Sequence, residues 1–151
     1  MKIWRTVFDD SCRQAILRRR RGLKPDAHRR WGRVTAPQMI AHLTDQMHHS
    51  LGDCPVEARP GLLRWRVIRY ASIYLVPWPK GRVRSPREAF VTQATSWEAD
   101  VGGLGTLLER FAARGAGGDW PDHALFSGMT RRDWGVFIHK HFDQHLRQFG
   151  A

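Results

Sequence analysis

Histidine is the residue type best suited to chemistry in this chain. There are eight: His28, His42, His48, His49, His123, His139, His141 and His145. The informative ones lie near the C-terminus. With successive residues set about 100° apart on a helical wheel, Trp134, Phe137, Ile138, Phe142, Leu146 and Phe149 form one broad apolar face. His141 and His145 fall in the middle of that face and His139 at its edge, while Lys140, Asp143 and Arg147 point away. At i and i+4, two side chains stand one above the other. Each imidazole brings a donor and an acceptor that burial must satisfy. A divalent metal satisfies them, because neutral imidazole is a common ligand, and the same spacing places two metal-binding histidines on one face of zinc-protease helices. Hydrogen-bonded core histidines satisfy them too, and the spacing alone does not choose.

A third ligand must come from another helix. His42 is the candidate, although on its wheel it lies at the flank of the apolar stripe, beyond Met39 and Gln46. His48 and His49, further along the same helix, read as solvated. His28 and His123 lie in loops, where His123 of Trp120-Pro121-Asp122-His123 is suited to ordering the loop by hydrogen bonding. Gln46 and Gln148, on the flanks of their faces, are candidates to hold the second nitrogen of a ligating ring. No serine or cysteine triad competes, since neither Cys12 nor Cys54 has a context that activates a thiol. No glycine-rich phosphate loop is present either, because Gly102, Gly103 and Gly105 fall inside a helical pattern.

The elements that must position these residues are helices. The first runs from Asp9 or Asp10 to about Arg21, with Gly22 and Pro25 beyond. The second opens on a capping box, Thr35-Ala36-Pro37-Gln38. Ile40, Leu43, Met47 and Leu51 then recur at helical spacing, and Gly52 stops it. Leu62 to Val76 reads as a further helix, apolar nearly all round yet carrying Arg64, Arg66 and Arg69, and expected to cover the core. Thr95-Ser96-Trp97-Glu98 is another capping box, followed by a seam of Trp97, Val101, Leu104, Leu108 and Phe111. The three glycines weaken that helix by about 1 kcal/mol each relative to alanine, so packing must offset them. The last helix opens at Thr130, with Asp133 at the box position, and runs to about Phe149. No stretch alternates long enough for a strand. The expected fold is all-α, one domain over residues 1–151: a four-helix bundle with a helical or loop insertion between its second and third main helices.

Composition narrows the function. The chain has 151 residues, which suits one domain. Its 42% hydrophobic and 26% charged content excludes wholesale disorder. The net charge is +11, and 21 of the 25 cations are arginine. An acidic partner would explain that, and so would the GC-rich codons of arginine. Only Arg18–Arg21 is a dense run, it ends a helix where cations suit the dipole, and no nucleic-acid-reading motif accompanies it. Nucleic acid is therefore not the expected partner. Two cysteines make no disulfide framework, which leaves a reduced, cytoplasmic setting as the default. The N-terminal residues lack a signal-peptide core, and no apolar run is long enough to span a bilayer.

Several segments together resemble the DinB-like superfamily of metal-binding four-helix bundles, and more closely one of its uncharacterised bacterial branches. They are RWGRVTAPQMIAHLTDQM around His42, VPWPKG at Val76–Gly81, WEAD followed by LLERFAAR, and DW followed by HKHFDQHLRQFG. The resemblance spans nearly the whole chain. It implies that His42, His141 and His145 bind one divalent metal, zinc or nickel, with water in the remaining positions. Superfamily members include thiol-dependent transferases and isomerases, and hydrolase-like proteins. The branch usually carries a second histidine just before its last ligand; here that position is Gln144.

The first functional reading is a metal-dependent enzyme acting on a small molecule, with a metal-bound water or low-molecular-weight thiol at the three histidines. The alternative is a non-enzymatic binding protein with core or structural histidines. Its basic surface, or the Leu62–Trp78 segment, would contact nucleic acid, anionic lipid or a protein. Trp65, Tyr70, Tyr74 and Trp78 either fill the core or form a homodimer contact.

Overall fold

The computed structural model describes residues 4–81, 91–115, 117 and 119–151. Five α-helices follow in order: α1 (Asp10–Arg21), α2 (Ala36–Leu51), α3 (Arg66–Tyr70), α4 (Trp97–Ala113) and α5 (Arg131–Gln148). No strand occurs among the described residues, so the all-α expectation holds. None of their helices is long and apolar enough to cross a membrane.

Local chemistry starts and stops these helices. Asp9 caps α1 by accepting from the Cys12 amide. Reciprocal capping boxes open α2 at Thr35 and Gln38, and α5 at Thr130 and Asp133. Gly52, at φ 76°, ends α2 in the left-handed conformation that glycine adopts without a Cβ penalty. The box expected at the head of α4 does not form. Ser96 is the N-cap, and among the described residues its side chain makes no capping hydrogen bond. Instead the Thr95 amide and hydroxyl both donate to Asp100, at 2.9 and 2.8 Å.

α2 packs along α4 and also meets α5, while α1 meets α5 and α4. The core between them holds Met39, Ile40, Leu43 and Met47 from α2, Leu104, Leu108 and Phe111 from α4, and Trp134, Ile138, Phe142 and Leu146 from α5. The α4 glycines divide. Gly105 lies under the buried Arg20 of α1, whose guanidinium donates to the Val101 carbonyl, and a Cβ there would strike it. Gly102 and Gly103 have no neighbour that a Cβ would meet.

The Leu62–Val76 segment departs from expectation twice. It is not one helix but a 3-10 turn (Leu62–Arg64), the short α3, and a π turn (Ala71–Leu75). Nor does it chiefly cover the core. Ile73 and Tyr74 are buried, while Leu62, Trp65, Val67, Tyr70, Leu75 and Val76 are exposed. Lys140, expected to point away from the protein, reaches this segment. Its Nζ donates to the carbonyls of Ser72 at 2.8 Å and Val76 at 2.6 Å, where the helical ladder has lapsed. Burial pushes its pKa down to about 8.

Two glycine substitutions should have opposite signs. Gly135 in α5 lies under Phe8, which stacks on Phe111 at 5.4 Å and cannot easily yield. Gly135→Ala should destabilise by about 1–3 kcal/mol through overpacking. Gly103→Ala meets open space and should stabilise by up to about 1 kcal/mol through helix propensity. Urea midpoints of the two variants check both signs.

Candidate metal centre

α2 and α5 bring three histidines together. His42 comes from the middle of α2, and His141 and His145 from successive turns of α5. The His42 and His141 Nε2 atoms lie 3.0 Å apart. The His145 and His141 Nε2 atoms lie 3.1 Å apart. One ligand atom from each residue falls within 4.8 Å of the others. All three sequence candidates therefore converge. His42 and His141 are buried, and His145 is half-buried, which makes it the solvent edge of the cluster. The wheel's flank position for His42 understated its burial, because α2 is buried over a wide arc from Met39 to Met47.

Gln148 sets the protonation of His145. The Trp31 carbonyl can only accept, so the Gln148 group facing it at 2.9 Å is the amide Nε2, donating. Its Oε1 then faces His145 Nδ1 at 2.9 Å, and Nδ1 must carry the proton. Burial, and then the nearby His42, push the His145 pKa down to about 4, so the ring is neutral at neutral pH. The neutral ring with a proton on Nδ1 has a bare lone pair on Nε2, which is the form that binds metal. Gly32 makes room for this arrangement, since a Cβ there would press on the Gln148 amide. Gln46, the other amide considered, is buried, and its Nε2 has no hydrogen-bond partner among the described residues. No described hydrogen bond links it to the three rings.

The site's donors fit a divalent ion. Two imidazole nitrogens on one ion at about 2.0–2.1 Å stand about 2.8–3.4 Å apart at octahedral to tetrahedral angles. The observed 3.0 and 3.1 Å fall in that range. Burial, reinforced by His145, His42 and His123, holds the His141 pKa well below its ordinary value. Its Nδ1 is buried without a hydrogen-bond partner among the described residues, whichever tautomer it adopts. Apolar rings wall the cluster. Trp78 lies 5.7 Å from the His141 ring and Phe137 lies 5.5 Å from it. Sequence reasoning did not assign either wall, nor the Trp31 carbonyl, because these contacts join distant elements.

The other histidines stand apart. His28 is exposed. His48 and His49 are half-buried rather than solvated, and His48 Nδ1 pairs with Asp53 at 2.9 Å. His123 is buried and orders its loop as expected, its Nδ1 accepting from the Leu125 amide at 3.1 Å. His139 is buried. A groove lies elsewhere, between α2 and α4, lined by Ala41, Thr44, His48 and Leu107 among others, and none of the three clustered histidines lines it.

No protein-family model, curated protein or solved structure matches this chain.

Two outcomes follow. Burial pushes His123 down to about 4, like His145. Between pH 6.5 and 4 the unfolded chain binds protons at these positions that the folded chain does not. Metal-free protein should thus hold its full stability above about pH 6.5 and lose it progressively as pH falls toward 4. Urea midpoints across that range test this, and a flat profile contradicts it. Secondly, Gln148→Leu removes the acceptor that fixes His145 and should weaken zinc binding by about 10–100-fold. Gln148→Glu keeps an acceptor for Nδ1 but loses the donor to the Trp31 carbonyl, and should bind between wild type and Gln148→Leu by competition titration.

Proposed function

We propose that this chain is a DinB-like, metal-dependent enzyme acting on a small molecule, by thiol transfer or by hydrolysis, at His42, His141 and His145. The convergence of three imidazole Nε2 atoms from two helices carries the reading. The sequence motifs around those histidines support the family. Three protein ligands are the number found in catalytic zinc sites, where the remaining positions stay open, whereas structural sites use four. Zinc or nickel suits an all-imidazole donor set.

The chain's own residues would do the following. His141 and His145, kept neutral by burial, present lone pairs without first having to shed a proton near neutral pH. Gln148 orients His145 and fixes its tautomer. The half-buried His145 edge gives a small molecule its approach. Trp78 and Phe137, against the His141 ring, lower the local dielectric, which strengthens any charge stabilisation there. When bound, a divalent ion supplies Lewis acidity that makes a water or a thiol beside it a nucleophile near neutral pH.

Metal content of tag-free protein by inductively coupled plasma mass spectrometry tests the reading. The expected result is about one equivalent in wild type, lost in both His141→Ala and His145→Ala. No retained metal in wild type after incubation with zinc or nickel overturns it.

A further inference from the structure

We propose that the face formed by Leu62–Val76 docks on an anionic lipid surface. This inference does not depend on the histidine site. Seven large apolar side chains are exposed among the described residues, and six of them lie in this one stretch: Leu62, Trp65, Val67, Tyr70, Leu75 and Val76. Apolar exposure that is concentrated rather than scattered marks a contact surface.

The stretch is held rigidly from beneath. Ile73 and Tyr74 are buried, and the Tyr74 hydroxyl donates to Asp133 at 2.6 Å. Arg69 donates to the carbonyls of Ser127 and Gly128, the Ser127 hydroxyl donates to the Arg64 carbonyl at 3.0 Å, and Lys140 holds the far end. The outward side chains are therefore presented by an anchored backbone and need no rearrangement to be displayed.

Charge selects the partner. From Ala58 to Arg87, between Glu57 and Glu88, the sequence contains no acidic residue and eight cations. Five of these lie among the described residues: Arg59, Arg66 and Lys80 are exposed, Lys80 over the Trp31 ring at 4.9 Å, while Arg64 is half-buried and Arg69 is engaged in the anchor. Arg132, from α5, stands over the Tyr74 ring at 5.6 Å. Two acids beside the anchor are already engaged: Asp133 by Tyr74 and Thr130, and Asp122 by the Gly128 amide. A second copy would bring the same cations against these, on a chain whose net charge is +11. Nucleic acid would suit the cations but leave Leu62, Val67, Leu75 and Val76 in water. An anionic bilayer satisfies both: aromatic and aliphatic groups enter the headgroup boundary, while arginines meet lipid phosphates. Trp65 and Tyr70 are the residue types that favour that boundary. Since no described helix can span a bilayer, the contact lies on the surface.

Co-sedimentation with phosphatidylcholine vesicles, with and without phosphatidylglycerol, tests this on the full chain. Binding is expected to require phosphatidylglycerol and to weaken as salt is raised. The exposed double variant Trp65→Ser/Val67→Ser should lose binding by about tenfold or more, its helicity unchanged by circular dichroism. Arg66→Glu should weaken binding at low salt and make it less salt-dependent. Three results would each overturn the proposal. One is no binding to phosphatidylglycerol vesicles at low salt. Another is vesicle binding indifferent to the Trp65/Val67 change. The third is a wild-type dimer in light scattering that the same double variant dissociates. Retention on duplex DNA without vesicle binding would count as the first and reassign the cations to nucleic acid.

Discussion

His141 Nε2, with two other imidazole nitrogens facing it at about 3 Å, poses a problem that hydrogen bonding among the three rings does not solve. The Gln148 contact makes His145 Nε2 a bare lone pair. His141 Nε2 faces that lone pair and also His42 Nε2. If His141 carries its proton on Nε2, one hydrogen is shared between two neighbours and its buried Nδ1 lone pair goes unused. If it carries the proton on Nδ1, lone pairs face each other in a low-dielectric setting where a fourth, positive partner is the natural complement. A small divalent ion is the partner whose bond lengths match the spacing. Protonating a ring instead is opposed by the burial that depresses the pKa of His141 and His145.

The fold is built to hold that convergence. The capping boxes at Thr35 and Thr130 fix where α2 and α5 begin, and so fix the rotation at which His42 and His141 arrive. Large fully buried side chains on the same helices, Met39, Leu43, Ile138 and Phe142, keep the two helices from sliding. Gln148 joins the end of α5 to the Trp31 loop, and the Arg30 amide donates to the Gln148 carbonyl at 2.7 Å. Both the side chain and the backbone of one residue thus tie the site's solvent edge to the segment leading into α2.

Much of this was legible in the sequence, and the misses share a cause. The four long helices followed from local signals: caps, stop glycines and apolar periodicity. The three histidines followed from a wheel for α5 and, for His42, from the family resemblance more than from periodicity. The Leu62–Val76 segment misled because an apolar composition implies burial but does not specify a surface to bury against. Its helix is broken where Trp65 is extended, at ψ 131°, and where Lys140 takes up carbonyls of the π turn. Lys140 misled in the same way. A wheel assigns a long polar side chain to solvent and knows nothing of a partner on another element. Gln148 could be guessed from its flank position, but its partner Trp31 lies 117 residues away and leaves no local trace.

The most direct measurement of the central claim is nitrogen-15 NMR of the imidazoles, recorded on metal-free protein and again during zinc titration. The expected result is His145 protonated at Nδ1 before zinc is added, then shifts confined to the Nε2 atoms of His42, His141 and His145 as zinc saturates. A His145 protonated at Nε2, or zinc shifts that fall instead on His48 and His49, would contradict it.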